Sequence, residues 1–490
     1  MAVPHEMTED DTPPDPRRWV ALAVLLLAGF VNLMDVTIVN VALPSLQRNL
    51  QASSSDIEWI VAGYVLAFAL FLLPSGRLGD IIGRKMMFLG GISGFTLLSA
   101  MCGMAPSIEW LVAARVLQGI SAAVMMPQVL AIAQVTFPRH ERGLAFSLFG
   151  LNSGLAAMAG PLIGGLLISA DIAGLDWRPI FLVNVPIGIF AVVAGAVLIP
   201  NIKGNKALEI DWIGMGLAGI AVFLLIFPLV EGRQYGWPVW AYAMMGAALF
   251  VVLLFYFWER GRERTGKAEL LPMHLMRNRN FAIGVLMTMA LFSGMPSFFM
   301  VFALFLQTGF GFTPLESGLT TMPMPIGLFL ASILAGILGA RGLKVRVATG
   351  MVLVLSAYLI LRAVLGGIGD EINHWWFAPP LLMMGFGMGT TIAPLFQSIL
   401  SAVPGRDAGS ASGTLQSFQQ LGGACGVAIA GEMFFSRLGD NLTHQGFTAA
   451  LLHETTYQLI AFSIVLVLLP LQRRLPATAS AAKPVPMVEL

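Results

Sequence analysis

Long apolar runs recur along almost the whole sequence, and they restrict what the chain can fold into. A helix of about 20 apolar residues crosses the roughly 30 Å hydrocarbon core of a bilayer. Of the 490 residues, 57% are hydrophobic and 11% are charged, and the mean hydropathy is +0.80. A soluble globule cannot cover such a chain with a charged surface. The sequence therefore predicts an all-α membrane protein.

Fourteen membrane spans are predicted from these runs. We place them at residues 19–44, 57–75, 86–104, 108–134, 143–169, 180–199, 211–230, 238–258, 281–305, 315–339, 346–366, 376–400, 408–434 and 454–472. An even number of spans places both termini on the same side of the membrane. Of the 28 lysines and arginines, 22 fall in loops on that side and 4 on the other. The positive-inside rule then predicts a multi-pass protein of the inner or plasma membrane with both termini cytoplasmic. The net charge of +1 indicates no nucleic-acid partner.

Two charged residues lie well inside the apolar runs and stand out. Asp35 lies within the run 19–44 and Arg115 within the run 108–134. A charge inside lipid is costly unless it has a partner or a function. Burial disfavours the charged form of Asp35, so we expect this carboxyl to bind and release a proton. Asn32, three residues earlier on the same helical face, is expected to hydrogen-bond it. Pairing of Asp35 with a neighbouring helix for purely structural reasons is the alternative.

Arg115 and Asp35 should lie at comparable depths in the membrane. Contact between them is therefore a hypothesis. A role of Arg115 in proton relay or substrate positioning, and a purely structural pairing, both remain open.

The chain also contains an internal repeat of the kind found in duplicated transporters. Pro127 recurs as Pro394, an offset of 267, and the stretch 138–143 recurs at 404–409, an offset of 266. We predict two six-helix bundles with two further helices inserted between them. The predicted divisions are a disordered cytoplasmic tail at 1–17, the N-terminal bundle at 18–200, the inserted helices at 201–260, a cytoplasmic linker at 261–280, the C-terminal bundle at 281–474 and a tail at 475–490.

Three stretches carry a family resemblance that extends over essentially the whole chain after residue 17. Residues 33–44 read LMDVTIVNVALP, residues 76–85 read GRLGDIIGRK and residues 160–165 read GPLIGG. They resemble the first-helix signature, the loop between spans 2 and 3, and the antiporter motif of the fourteen-helix drug:proton antiporters in the major facilitator superfamily. The resemblance implies a transporter that works by alternating access and uses protons as the coupling ion.

The same resemblance assigns roles to residues of these motifs. It implies that the loop with Gly76, Asp80, Gly83 and Arg84 acts as a gate that holds the two halves shut on the cytoplasmic side. In the antiporter motif, a proline bends the helix and glycines let a neighbouring helix pack closely. The residues of that motif are Gly160, Pro161, Gly164 and Gly165.

Several polar residues remain as further candidates. Glu432 is a second acid near the outer end of its span, with ordinary interfacial solvation as the alternative. The glutamines Gln118, Gln416, Gln419 and Gln420 are candidates for lining a cavity. The spacing of His, Cys and carboxylate residues indicates no metal site, and no cofactor is expected besides the proton.

We therefore expect proton-coupled export of lipophilic or cationic drugs or toxic compounds. Its partners would be the small-molecule substrate, protons and the lipid bilayer, and nothing in the short outer loops identifies a periplasmic adaptor. The alternatives are a dedicated exporter of one metabolite or natural product, a proton-coupled importer, and a membrane sensor that transports nothing. An enzyme is disfavoured because no paired nucleophile and base accompanies the intramembrane charges.

Overall fold

A computed structural model describes most of the chain, and the part described is helical with no strand. The described residues are 16–201, 204, 211–232, 234–267, 269–271, 273–338, 342–369, 372–401, 403 and 408–472. The predicted tail at 475–490 and nearly all of the tail at 1–17 lie outside these ranges. Much of the connection that precedes the inserted helices lies outside them as well.

The described residues form seventeen α-helices. The first group is α1 (Arg18–Leu50), α2 (Ser54–Ile82), α3 (Arg84–Gly103), α4 (Ile108–Thr136), α5 (Arg139–Ser169), α6 (Pro179–Leu182) and α7 (Asn184–Leu198). The middle group is α8 (Trp212–Glu231), α9 (Val239–Thr265) and α10 (Met273–Met276). The last group is α11 (Arg279–Leu304), α12 (Pro314–Thr321), α13 (Pro323–Leu338), α14 (Leu343–Gly366), α15 (Ala378–Leu400), α16 (Ala408–Leu438) and α17 (His444–Leu468).

Twelve helical segments of the described chain are long and apolar enough to cross a membrane. The two other predicted spans correspond to α5 and α16, which are helices of 31 residues each. Within α5, the stretch Gly154–Ser169 is a shorter apolar helix. Membrane-crossing helices are thus confirmed for twelve of the predicted spans, and the arrangement with fourteen stays a prediction.

The predicted start of the last span is wrong by ten residues. Helix α17 begins at His444, because the Thr443 side chain accepts a hydrogen bond from the Gly446 N–H at 3.1 Å and caps the helix. The first turns of α17 are more polar than the rest, so a search for apolar runs does not detect them. Glu454 therefore lies inside a membrane helix and not at its edge.

Two of the predicted spans are each divided into two helices, and prolines explain both breaks. Pro186 has no N–H to donate to the carbonyl of Leu182, where α6 ends, and Pro325 has none for Thr321, where α12 ends. By length and composition, Pro179–Leu198 and Pro314–Leu334 still qualify as single spans.

The first and last groups of helices pack in the same pattern. In the first group α1 packs on α5, α4 packs on α2 and α3, and α7 packs on α3. In the last group α11 packs on α16, α15 packs on α13 and α14, and α17 packs on α14. Pro127 and Pro394 lie inside the corresponding helices α4 and α15. The repeat seen in the sequence is therefore also a repeat of helix packing, and we call the two groups the first and second halves.

The inserted helices α8 and α9 pack on each other, and α8 also packs on α2 and α16. The Trp59 indole N–H donates to Glu231 at 2.8 Å, and the Ser55 hydroxyl donates to the Val230 carbonyl at 3.3 Å. Helix α9 leaves a row of large apolar side chains exposed, among them Leu249, as expected for a lipid-facing surface. The insert is thus attached to the side of the molecule where the two halves meet.

The two halves contact each other through α2 with α16, α5 with α12 and α13, and α1 with α11. We call the end that carries the 51–53 turn the outer end, following the predicted orientation. Near that end the Gln307 side-chain amide donates to the Val41 carbonyl at 2.8 Å. Glu58 lies directly against Gly431 there. The halves are therefore closed against one another at the outer end.

Glycines permit close helix packing in the second half, and this leads to a test of stability. A Cβ at Gly426 of α16 would overlap the backbone of Ser293 on α11, whereas a Cβ at Gly246 of α9 would meet open space. We expect Gly426→Val to destabilise the protein by about 1–3 kcal/mol, since a backbone cannot move aside as a side chain can. Gly246→Val should leave stability nearly unchanged.

The measurement is the thermal melting temperature of both purified variants in detergent beside the native protein. Equal melting temperatures for the two variants would contradict the described packing of α16 on α11.

Candidate functional site

Asp35 lies near the middle of α1 and is completely buried. Nη1 of Arg115, on α4, donates to Oδ2 of Asp35 at 2.6 Å. Only 2% of the Arg115 side chain is exposed. The contact that the sequence suggested as a hypothesis is therefore present, as a buried ion pair.

Two side-chain amides complete the surroundings of this carboxylate. Nε2 of Gln118 and Nδ2 of Asn184 both donate to Oδ1 of Asp35, at 3.2 and 2.9 Å. Both amides also donate to the Ser99 hydroxyl, at 2.8 and 3.3 Å. A single carboxylate thus connects α1 with α4 and α7, and Ser99 joins α3 to the same cluster.

Arg115 is fixed by further contacts. Its Nε donates to the Ile60 carbonyl at 3.3 Å, and Nη1 also donates to Oε1 of Gln118 at 2.7 Å. The guanidinium carbon lies 4.2 Å from the centre of the Tyr64 ring, which is the geometry of a cation–π contact. Ile60 and Tyr64 belong to α2, so Arg115 holds this helix to the cluster as well.

The hydrogen-bond partners of Asp35 indicate whether its ionised or its protonated carboxyl fits this conformation. Every described partner is a hydrogen-bond donor, an arrangement that suits an ionised carboxylate. The expectation from sequence considered burial alone, and Arg115 with the two amides offsets that penalty here. A proton on Asp35 would remove its attraction to Arg115 and leave a buried guanidinium without a counter-ion. The ion pair therefore holds α1 and α4 together in this packing.

Two residues predicted for the site have other roles in the structure. The Oδ1 of Asn32 accepts a hydrogen bond from the Tyr64 hydroxyl at 2.8 Å, so the predicted bond to Asp35 was wrong. Position on one face of α1 does not decide which neighbouring helix a side chain approaches. Gln118 is fully buried and bonds Asp35, and its predicted role in lining a cavity stays a prediction.

Sequence reasoning missed Asn184 and Ser99. An uncharged polar residue inside an apolar run is common, so neither residue stands out as a charge does. The available signal for Asn184 was its amide between Val183 and Val185, in an otherwise apolar stretch. Only the folded chain shows that both residues lie beside Asp35.

The prediction of a loop at residues 76–85 was wrong for most of that stretch, because Gly76 and Asp80 lie inside α2, Gly83 alone separates α2 from α3, and Arg84 begins α3. Asp80 accepts from Nη2 of Arg84 at 3.0 Å, and Nη1 of Arg84 donates to the Ala131 carbonyl at 3.0 Å. Gly83, with a φ of 117°, makes the sharp turn between the helices, and Gly76 faces α4. These contacts stay within the first half, so a gating role of the loop across the two halves remains a prediction.

The antiporter motif on α5 makes a close contact with α1. A Cβ at Gly160 would overlap Thr37, and a Cβ at Gly164 would lie 2.8 Å from Cγ1 of Ile38. Thr37 and Ile38 follow Asp35 by two and three residues. The glycines therefore let α5 pack directly on the segment of α1 that carries the buried acid.

The same motif also contacts the second half. A Cβ at Gly165 would lie 2.8 Å from the Cα of Leu315, and Gly318 lies directly against the Pro161 carbonyl. Leu315 and Gly318 belong to α12. Helix α5 thus links α1 on one face to the second half on another.

The candidates on α16 are less enclosed than the Asp35 cluster. Gln416, Gln419, Gln420 and Glu432 are all half-buried. Glu432 follows Gly431, which lies against Glu58 of the first half. The roles of these residues as cavity lining and as a second acid remain predictions.

A surface cavity of about 630 Å³ lies at the outer end, beside the contacts that close the two halves there, and residues of both halves line it. Gln47 and Ala52 of the first half, Leu304 and Phe434 of the second half, and Gln234 beside the insert contribute to its lining. Its lining includes none of the predicted site residues, so it is separate from the Asp35 cluster.

Comparison with known proteins gives the class of the chain. The family model described as Major Facilitator Superfamily matches residues 25–213 and again residues 211–427. The chain belongs to this superfamily of membrane transporters, as its motifs predicted. The double match agrees with the two halves seen in the packing.

Relatives in Streptomyces cover most of the chain. It is 41% identical to a probable actinorhodin transporter of Streptomyces coelicolor, over 88% of this chain and 75% of that protein. It is 32% identical to a tetracenomycin C resistance and export protein of Streptomyces glaucescens, over 86% of this chain and 77% of that protein. It is 31% identical to a puromycin resistance protein of Streptomyces alboniger, over 93% of this chain and 90% of that protein.

Among solved structures, the chain is similar to an auto-inhibited peptide transporter of the POT family. The TM-score is 0.69 at 16% identity, over 96% of this chain and 99% of that one. At this identity the likeness shows the fold alone.

A double-mutant cycle tests whether Asp35 and Arg115 depend on each other. We expect Asp35→Asn and Arg115→Met each to cost about 3–5 kcal/mol of unfolding free energy, because each leaves a buried group without its partner. The double variant should lose less than the sum, with a coupling toward the upper end of about 0.5–3 kcal/mol. The measurement is denaturant unfolding in detergent micelles.

The pair Arg277 and Glu263 is the matched control. Its atoms are also close, at 2.8 Å, but the Arg277 side chain is 59% exposed. Its coupling should fall below about 1 kcal/mol. Additive losses at Asp35 and Arg115 would show that the buried pair is not a functional unit.

Proposed function

We propose that this protein exports lipophilic or cationic small molecules, antibiotics among them, and couples their export to the inward movement of protons. The observation that carries the proposal is the buried Asp35–Arg115 pair within a superfamily transporter fold. The names of relatives as transport, export and resistance proteins for antibiotics support the class of substrate. Both the coupling ion and the substrate class thus rest on observations beyond the fold.

The proposed coupling begins at Asp35. In the outer-closed conformation its carboxylate binds Arg115, Gln118 and Asn184. A proton arriving at Asp35 would neutralise the carboxylate and release Arg115. Because α1, α2, α4 and α7 meet at this point, their packing would change with the proton.

The antiporter motif supports transmission of this change to the second half. Helix α5 contacts α1 at Ile38 through Gly164, and contacts α12 at Leu315 through Gly165. A shift of α1 therefore acts on the contact between the halves. Linkage then requires that substrate binding promote proton release and that protonation promote substrate release.

We further propose that all fourteen predicted spans cross the membrane, with both termini in the cytoplasm. The excess of basic residues on one side of the predicted topology supports this arrangement. The length of α5 and α16, 31 residues each, is sufficient to cross a bilayer of about 30 Å. The membrane would be the plasma or inner membrane. The proton would be the coupling ion, with no further cofactor.

A dedicated exporter of one natural product is the second candidate. Several relatives have names that each concern a single antibiotic, and these names favour the dedicated exporter. The Asp35 cluster serves either function, because it couples protons without specifying the substrate. Resistance assays against actinorhodin, tetracenomycin C, puromycin and unrelated lipophilic cations in a sensitive host separate the two: protection against one compound alone would favour the dedicated exporter.

The central test is efflux of a fluorescent lipophilic cation from reconstituted vesicles with an imposed pH gradient. We expect the native protein to move the dye, an uncoupler to stop it, and Asp35→Asn to reduce the rate at least tenfold, since the variant cannot exchange a proton there. Glu109→Gln, at an exposed acid of α4, is the control and should transport normally.

Undiminished, uncoupler-sensitive efflux by Asp35→Asn would remove Asp35 from the mechanism. Absence of efflux of any tested compound by the native protein, in vesicles that hold their pH gradient, would count against transport altogether and favour a sensor.

A further inference from the structure

Glu454 is a second buried acid, and the function proposed above does not use it. It lies on α17 of the second half and its side chain is completely buried. Its Oε1 accepts a hydrogen bond from Nε2 of Gln458, one turn further along the helix. Its Oε2 has no hydrogen-bond partner in the described structure. Half of this carboxyl group is therefore left unsatisfied inside the protein.

The charged and titratable neighbours of Glu454 supply no counter-ion. Nη1 of Arg362, on α14, donates to the Leu452 carbonyl at 2.6 Å and to the hydroxyls of Thr455 and Thr456 at 2.8 and 3.0 Å. The guanidinium thus binds other atoms of the same helix and not the carboxyl. Among the described residues, the phenols of Tyr358 and Tyr457 also interact with Glu454 and are neutral at ordinary pH, while its chain neighbour His453 is exposed.

A carboxylate in these surroundings would be a buried charge without a cation, which is strongly disfavoured. A proton on the carboxyl removes that charge. With the proton on Oε2, Oε1 still accepts the hydrogen bond from the Gln458 amide. The cluster is thus suited to the protonated acid.

Gln458 also connects this acid to α11. Its Nε2 donates to the Ser297 hydroxyl at 3.1 Å and lies 3.3 Å from the Gly294 carbonyl. Helices α11 and α17 pack together in the second half as α1 and α7 do in the first. In the first half, the amide of Asn184 on α7 bonds Asp35 on α1. Corresponding pairs of helices therefore hold a polar cluster in both halves. The acid lies on α1 in the first half, and in the second half it lies on α17, the counterpart of α7.

The two acids differ in one respect that matters for coupling. Asp35 has Arg115 beside it and suits the ionised form, whereas Glu454 has no cation and suits the protonated form. Both arrangements exist in the same outer-closed conformation. A conformational change that separated α11 from α17 would expose Glu454 to water, in which the carboxyl loses its proton readily.

We propose that Glu454 is a second proton-binding carboxyl, located in the second half, which takes up a proton from water on one side of the membrane and releases it to water on the other. This inference rests on the proposed proton-coupled transport. In each cycle the O–H bond forms with a proton from one aqueous phase and breaks to the other, so one proton crosses per cycle through this group. Together with Asp35, it predicts two protons for each substrate molecule.

The first test reads the proton directly and needs no transport. Infrared spectra of the full-length protein in lipid should show a protonated-carboxyl C=O band that is absent in Glu454→Gln and still present in Asp35→Asn. The band should shift in Glu454→Asp and lose intensity in the native protein as the pH is raised. Glu109→Gln should leave it unchanged.

The second test reads stoichiometry in vesicles with the membrane potential held at zero. For an uncharged substrate, two protons allow a limiting gradient of roughly hundredfold per pH unit and one proton roughly tenfold. We expect the limiting gradient of two protons for the native protein and that of one proton for Glu454→Gln. Glu454→Asp should restore the limiting gradient of the native protein.

The proposal is overturned by an infrared spectrum that is the same in Glu454→Gln, or by a Glu454 band that does not respond to pH or to the transport cycle. An unchanged limiting gradient in Glu454→Gln also overturns it. Failure of the proposed transport function can be told apart from failure of the Glu454 proposal. It would abolish transport by the native protein and leave the infrared assignment of Glu454 intact.

Discussion

The ion pair between Asp35 and Arg115 is the interaction on which the packing of the first half depends. A membrane interior provides no water to solvate either charge, so each must be satisfied by protein groups. Arg115 therefore binds α2 as well as α1, and Asp35 draws amides from α4 and α7. Three helices, α1, α4 and α7, meet at this carboxylate, and Arg115 joins α2 to them, so the arrangement of four helices depends on one charged group.

Helix α1 places this sensitive group beside the contacts between the halves. Directly beyond Asp35, Gly160 of α5 packs against Thr37 and Gly164 packs against Ile38. About one turn further along α1, the Val41 carbonyl accepts a hydrogen bond from Gln307 of the second half. Glycine at these contacts keeps the helices close, so a small movement of α1 is not absorbed by flexible side chains. Helices α1 and α5 thus connect the Asp35–Arg115 pair to the closed outer end.

The sequence predicted the features that depend on charge and on apolar length. Asp35 and Arg115 stand out because charges are rare in apolar runs, and the glycine motifs carry their own signature. Asn184 and Glu454 were not predicted. An amide in an apolar run is common, and Glu454 coincided with the apparent start of a span, because the polar first turns of α17 hid its true beginning. The partner of Asn32 depends on how α2 approaches α1, which only tertiary packing decides.

Proton release on substrate binding tests the central claim most directly. Purified protein in weakly buffered detergent solution, at a series of pH values, is mixed with a substrate that itself does not titrate over that range. The account predicts that native protein releases protons on binding, and that Asp35→Asn binds the substrate with a smaller release. Equal proton release by native protein and Asp35→Asn, at equal substrate occupancy, would contradict it.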